Sequence, residues 1–564
     1  MPSTPSTAPE PVVQSEKDAS FKEILLYAIG NMEQGLANNF YNLLNVLMVV
    51  ALGMNPLLLG MILGIKTLWD GITDPIMAQI TDNARTRWGR RRPFILFGGV
   101  GRVLLLISIF VFFPRDGSIK TNAEYAAEQA AKIEAAAHPA APAAATVAQA
   151  DATAETAETA EVKPAPEFQP KKAKPSWMAS LKEGWNAFIA ADNTYHQKVT
   201  IYLLIACLLF TTFTTINSVP YYALGIEICP SYDGRTRVVT YRSVVDKAMS
   251  LVSPWILPFC LLPMFYNVID GLFWYSIFVA VIGIPSTVLM VWFTKERISK
   301  TLTKKNRGPG LFKSIWLTAK NVHFLKILFL YQFIGYTNGI FAQISVFLTI
   351  YWIFAGDALA GATLSGYAST VGVVLAFLSL PLVNWACRRM QKHRALRFAI
   401  IWMSIGAALK WFLFDPEHPY WQLALPFFFS IGISSVFTIL PTMMADVTDI
   451  DELRNGTRRE GMFGAVMAFL MKLTCTIQPV LAGAILVIAG FDASLGGNQS
   501  PETIFNMRLM FSFIPAGLML FALIALWRYP LTREYMEEVK AKLIVNRAAR
   551  AQAEAAENEA QATA

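Results

Sequence analysis

The chain reads as a succession of long apolar runs separated by polar loops. A helix needs roughly 20 apolar residues to cross about 30 Å of hydrocarbon. Runs of that kind begin near Ile24, Leu57, Pro93, Thr200, Val238 and Gly271, and again near Phe324, Ala360, Leu396, Tyr420, Gly461 and Phe505. The pattern predicts an all-α membrane protein with 12 transmembrane helices in two six-helix halves, over residues 21–293 and 323–530. A central loop, 294–322, joins them, and residues 1–20 and 531–564 flank them.

The loops test this count independently. Basic clusters follow the even-numbered spans: Arg85, Arg87, Arg90, Arg91 and Arg92 after the second, Arg235 and Arg237 after the fourth, Lys295 to Lys320 after the sixth, RRMQKHR after the eighth, and Arg454, Arg458 and Arg459 after the tenth. The short loops after odd-numbered spans, such as GMNP, FYNVID, AGDALA and DPEHP, contain no Lys or Arg. Short basic loops stay in the cytoplasm, so both termini are expected there, in a protein of the inner (plasma) membrane. A missed or invented span would break the alternation.

One long loop interrupts the scheme. Residues 115–197 contain an Ala/Pro/Glu-rich stretch whose composition cannot bury a core, and long loops translocate regardless of charge. The segment is expected to be a disordered periplasmic insert. SWMASLKEGWNAFIAA near its end places Trp177, Leu181, Trp185 and Phe188 on one helical side, as in an interfacial helix. The first residues, polar and proline-rich, lack the basic start and apolar core of a signal peptide. They are expected to form a disordered cytoplasmic lead-in.

Composition agrees with the pattern. Apolar residues make up 54% and charged residues 16%, against about 25% charged in soluble domains. The net charge of +8 sits in short loops and therefore does not point to nucleic acid. Five cysteines without CxxC spacing and five histidines without ligand spacing argue against a metal centre. The chain has no GxxxxGK[ST] phosphate loop and no nucleophile–base set, so neither an ATP-driven pump nor an enzyme is expected, and no cofactor beyond a coupling ion.

Charged residues within spans are costly and mark ion or substrate handling by default. Asp70 lies near the middle of span two, and Asp74 is one turn further along the same face. Thr215, Asn217 and Ser218 of span four reach a similar depth. So do Glu33 and Gln34 of span one, Asp246 and Lys247 of span five, and Lys472 of span eleven, with Arg242 a turn from Asp246. Several helices thus bring polar groups to the bilayer midplane, where transporter sites lie. Two close carboxylates cannot both stay charged in a low dielectric without a cation or proton. The bland alternative is a structural network in which they merely neutralise Lys66 or Arg242. Arg102 has no partner evident from sequence. Tyr221, Tyr222, Trp69 and Phe437 are candidate stacking platforms for a sugar ring.

Three stretches carry a resemblance. LWDGITDPIMAQITDNARTRWGRRRPFIL (Leu68 to Leu96), NSVPYYALGIEICPSYDGRTRVVTYR (Asn217 to Arg242) and MMADVTDIDELRNGTRREGMFGAVMAFLMK (Met443 to Lys472) resemble segments of the glycoside–pentoside–hexuronide:cation symporters, the melibiose carrier family, at the corresponding span numbers. The resemblance implies the major facilitator fold and secondary active symport of a glycoside with Na+ or H+ by alternating access. By the same likeness Asp70 and Asp74, with Thr215 and Ser218, form the cation site. Glu33, Gln34, Ser218, Tyr222, Arg242, Lys472 and Phe437 are the expected substrate-binding residues. Asp82, Arg85, Arg87, Asp446, Asp449, Glu452, Arg458 and Arg459 are expected in a cytoplasmic gate. One departure stands out: Ser218 occupies the position where melibiose carriers have a sugar-binding Asp. The alternatives are a different cargo such as a lysolipid, or a non-transporting sugar sensor. The expected partners are a small-molecule sugar, the cation and the bilayer, with the protein a monomer. If the insert is only a tether, deleting residues 120–170 is expected to leave transport intact, which uptake by the deletion variant measures.

Overall fold

The computed structural model describes residues 18–84, 86–115, 121–124, 127, 194–229, 232–296, 321–455, 460–492, 495, 497–527 and 532–563. Most of the insert, with its expected interfacial helix, and most of the central loop lie outside these residues. Among the described residues all regular structure is helical.

Among the described residues ten helices are long and apolar enough to cross a membrane. They correspond to ten of the expected spans: two (Pro56–Asn83), three (Arg92–Val111), four (Thr194–Ile228), six (Val268–Phe293), seven (Val322–Leu348), eight (Ala358–Arg389), nine (Lys392–Leu413), ten (Leu425–Asn455), eleven (Glu460–Ala489) and twelve (Pro501–Leu526). The other two are interrupted rods rich in polar residues. Span one is Phe21–Ile29 followed by Asn31–Leu52, and span five is Tyr232–Ser250, a turn at Ser253–Trp255, then Ile256–Cys260. Pro254 lacks the N–H that a continuous helix needs and its ring crowds the carbonyl four residues earlier, which is why the long helix of span five stops at Ser250.

The turns are written into the local sequence. In GMNP, Gly53 ends span one in the left-handed region (φ 63°), a conformation glycine adopts without a Cβ penalty. Asn55 then accepts from the backbone N–H groups of Leu57 (2.9 Å) and Leu58 (3.4 Å), and Pro56 occupies the first helical position. Asn321, Asp357 and Ser500 cap spans seven, eight and twelve in the same way.

The cores show how the halves meet. At the end away from the basic loops one continuous cluster joins Leu47, Leu59, Ile62 and Phe110 of the first half to Ile344, Phe347 and Leu486 of the second. At the basic end the core is divided. Ile24, Tyr27, Tyr221, Leu224 and Met290 pack within the first half, and Phe324, Leu396, Leu440 and Phe463 within the second. The molecule is joined at one end and split at the other.

Small residues make the joined end possible. A Cβ on Gly60 of span two would lie 2.3 Å from the Pro479 carbonyl oxygen of span eleven, and one on Gly483 would lie 2.5 Å from the Pro56 carbonyl oxygen. Spans two and eleven therefore touch backbone to backbone, as small residues permit in membranes. Spans five and eight add a second seam, where Trp255 Nε1 donates to Thr370 Oγ1 at 3.0 Å. A described helix beyond span twelve, Arg533–Thr563, buries Met536, Val539 and Leu543 in the second half's core at the basic end.

Gly60→Val is expected to force the joined end apart. In a cysteine-free background, Ala482→Cys (0% exposed) should be protected from a membrane-impermeant maleimide. Adding Gly60→Val should make it reactive.

Candidate functional site

At the point where the halves part, a cavity of about 320 Å³ is lined by Gln34, Asn38, Lys66, Asp70, Asp74, Thr211, Thr214, Ser218, Tyr222 and Lys472. All but Lys472 come from the first half. Helical spacing accounts for the set: Asp70 and Asp74 are one turn apart with Lys66 a turn before them, and Thr211, Thr214 and Ser218 recur on one face of span four.

The two acids of span two and the lysine of span eleven are in contact. Lys472 Nζ lies 2.9 Å from Asp70 Oδ2 and also donates to Asp74 Oδ2. Thr215 Oγ1 donates to Asp70 Oδ1 at 3.2 Å, and the Thr73 hydroxyl lies 3.0 Å from that of Thr215. Asp74 Oδ1 is buried without a hydrogen-bond partner. Pro75 has no N–H, so the Gly71 carbonyl beside it lacks its helical partner, and the space above Gly71 is open. Asp70, Asp74 and Lys472 keep 24%, 31% and 34% of their side-chain surface exposed, so a small ion or proton can reach them. A hard cation takes oxygen ligands of this kind, and the buried Asp74 Oδ1, which accepts no hydrogen bond, could serve as one.

Beside this trio, Gln34 Nε2 donates to Tyr222 Oη at 3.2 Å, and the Arg242 guanidinium lies 4.8 Å from the Tyr222 ring centre. Arg242 Nε is 4.0 Å from Asp246 Oδ2, and Asn31 Nδ2 donates to Asp246 Oδ1. Trp69 Nε1 donates to Thr212 Oγ1 at 3.0 Å, which ties span two to span four. Arg242 does not line the cavity itself and meets it through Tyr222.

Two expected substrate residues are elsewhere. Glu33 is fully buried against Arg102: Nε donates to Glu33 Oε1 at 2.8 Å and Nη2 to Oε2, with both side chains 0% exposed. A carboxylate enclosed in that way holds the first half together and is not presented to a ligand. Arg102 thereby gains the partner its sequence did not reveal. Phe437 of span ten packs edge-on to Tyr331 at 5.7 Å and does not line the cavity.

Three of the expected gate residues, Asp82, Asp446 and Glu452, pair within their own halves. Asp82 lies 3.5 Å from Arg91, which is 2.9 Å from Glu227, and Arg90 reaches Glu227 at 2.6 Å. Glu296 accepts from the backbone N–H groups of Arg90, Arg91 and Arg92 at 2.7, 2.8 and 3.1 Å. Gly89 (φ 108°) allows that approach, since its Cβ would lie 2.6 Å from the Glu296 carboxylate. In the second half Lys392 pairs with Asp446 at 2.6 Å, and Arg547 of the C-terminal helix holds Glu452 through two bonds of 2.8 and 2.6 Å. Arg87 is exposed and Asp449 is partly buried. Arg85, Arg458 and Arg459 lie outside the described residues.

Sequence reasoning missed Glu227, Glu296, Asn38, Thr211 and Thr214. The threonines were legible, because their spacing along TTFTTINS continues the face that carries Ser218. Glu227 and Glu296 follow the apolar windows of their spans, and nothing local tells which arginine each meets.

The family model for MFS/sugar transport proteins matches residues 26–122 and 185–533. An uncharacterized symporter of Synechocystis is 22% identical, covering 94% of this chain and 97% of the relative. A glucuronide carrier protein homolog of Escherichia coli is 20% identical (92% and 94%), and a lactose permease of Leuconostoc lactis 21% identical (92% and 71%). Among solved structures, an inward-facing, unoccupied bacterial homolog of the human lysosomal transporter Spinster superposes with a TM-score of 0.51 at 9% identity, covering 93% of this chain and 96% of the other. That likeness concerns the fold alone. The chain belongs to the MFS/sugar transport protein family, and it is a multi-pass membrane protein of the major facilitator fold.

Replacing Glu33 by Ala is expected to strand Arg102 in the core and to cost about 3–5 kcal/mol, the usual penalty for breaking a buried pair from one side. The double variant Glu33→Leu/Arg102→Leu should recover most of that loss. Thermal unfolding of the purified variants in detergent compares the two.

Proposed function

We propose that this member of the MFS/sugar transport protein family is a secondary active symporter that couples Na+ or H+ to the movement of a glycoside by alternating access. The observation that carries this reading is the Asp70–Lys472–Asp74 contact, formed between opposite halves where the joined core ends and the split begins. The names of the relatives, a glucuronide carrier homolog and a lactose permease, support a saccharide cargo. So does the site itself: the cavity is compact and mostly polar, at the small end of the ~300–1,000 Å³ typical of ligand pockets. A lysolipid would call for a long apolar groove.

Positive loops face the cytoplasm, so the split end is the cytoplasmic one and the conformation is inward-open, in the inner membrane, with both termini inside. In this state Lys472 supplies the positive charge that the two acids require. With Lys66 on the same cavity wall, two ammoniums face two carboxylates, and an empty carrier can reorient without exposing uncompensated carboxylates to a low dielectric. A coupling cation takes the place of the lysine ammonium at the acids, with Thr215 and the Asp74 oxygen as further ligands. Lys472, Arg242, Tyr222, Gln34 and Ser218 are then available to cargo hydroxyls. Coupling is reciprocal, so the cation raises cargo affinity by the factor by which cargo raises cation affinity.

Asp74→Asn is expected to abolish cation-driven accumulation, lowering it by at least about tenfold, while the protein still inserts and binds lipid. Concentrative uptake in a sugar-negative host, with and without Na+ and across a pH step, measures this. Undiminished cation-stimulated accumulation would remove the acid pair from the mechanism.

A further inference from the structure

Spans three and nine hold corresponding places in the two halves, as do spans six and twelve, and within each half the first packs along the second. At the basic end one arrangement occurs twice. In the first half Arg92, at the start of span three, donates from Nε to the Val291 carbonyl at 2.7 Å and from Nη2 to the Trp292 carbonyl at 3.3 Å, both in the last turn of span six. In the second half Arg397, near the start of span nine, donates from Nη2 to the Leu526 carbonyl of span twelve at 3.2 Å. Its guanidinium lies 6.0 Å from the Trp527 ring centre. Each arginine thus sits beside a tryptophan at the end of the neighbouring span, and both indoles are largely exposed, 75% for Trp292 and 67% for Trp527. None of these residues lines the cavity.

The carbonyls orient the two guanidiniums without neutralising them. Terminal helix carbonyls carry only a fraction of a negative charge, and a guanidinium has more N–H donors than these contacts use. Among the described residues neither side chain has a carboxylate partner. The nearby acids are engaged elsewhere. Glu296 accepts from the backbone N–H groups of Arg90, Arg91 and Arg92, and Glu534 accepts from Gln391 at 3.2 Å. Arg397 Nε is buried and has no hydrogen-bond partner. Phe293 and Phe398, each next in sequence to one member of a pair, are exposed, and large apolar side chains exposed on a spanning helix meet acyl chains.

We infer that each half carries a site for the phosphate of an anionic phospholipid in the leaflet at the basic end, built from Arg92 with Trp292 and from Arg397 with Trp527. A guanidinium matches a phosphate through paired N–H donors, an indole belongs at headgroup depth, and the stranded Arg397 Nε gains an acceptor. A zwitterionic phospholipid offers the same phosphate but brings its own ammonium. That leaves the guanidinium uncompensated and, in the second half, sets a further positive charge near exposed Arg394. Both sites lie away from the cavity, so lipid binding here is independent of the cargo and of the coupling ion.

Native mass spectrometry of the full-length protein, stripped of co-purified lipid and titrated in detergent with phosphatidylglycerol or phosphatidylcholine, counts the tightly held lipids. Phosphatidylglycerol is expected to be retained at least about fivefold better, the scale of one basic side chain at an anionic membrane surface, with two tightly held copies per chain. Arg397→Gln should remove one copy, and Arg92→Gln/Arg397→Gln both. Inorganic phosphate, the probe for a free anion, should not displace them. The lipid comparison on the unaltered protein needs no substitution and decides the matter where a variant fails to fold. Equal retention of the two lipids, a copy number unchanged in the folded double variant, or displacement of phosphatidylglycerol by inorganic phosphate overturns the assignment.

Discussion

The contact that organises this molecule is one ammonium held between two carboxylates at the bottom of a cleft. Asp70 and Asp74 belong to one rigid half and Lys472 to the other, so the ion pair is also a joint between moving bodies. Close carboxylates in a membrane interior must be compensated by some positive group. In the proposed mechanism, whether that group is tethered to the opposite half or arrives from solution decides whether the halves are bound to each other or free to bind cargo. The chemistry of the site and the mechanics of the fold are therefore the same interaction.

The rest of the architecture supports that joint. Glycines at positions 60 and 483 bring the backbones of spans two and eleven together, which fixes the distance over which Lys472 must reach. The Glu33–Arg102 pair stiffens the first half behind the cavity. It is sealed from water, so its charges are spent on packing and do not compete for the coupling ion. At the basic end, Glu227 and Glu296 gather the arginines of the loop after span two, and Arg547 gathers Glu452. These contacts tie each half to itself, and they leave the cleft between the halves open.

Much of the fold was legible along the chain, since the spans, their turns and the alternation of basic loops are local consequences of hydropathy and capping. Spans one and five are the two that fall short of the apolar window of a spanning helix. Asn31, Glu33, Gln34, Asn38 and Asn39 in the first, and Arg242, Asp246 and Lys247 in the second, dilute the apolar signal because those helices serve the interior of the bundle as well as the lipid.

The sequence by itself determined that this is a twelve-run membrane chain with a one-turn pair of acids in span two, because periodicity and solvent preference are properties of neighbouring residues. It did not determine who answers those acids. Lys472 lies 398 residues from Asp74, and Arg102 lies 69 residues from Glu33. Only the packing of helices distant in sequence turned one candidate ligand into a buried brace and another residue into the bridge between the halves. The reason is physical: hydropathy records how each residue meets its solvent, whereas a charge pair depends on which helix faces lie opposite each other once all of them have packed.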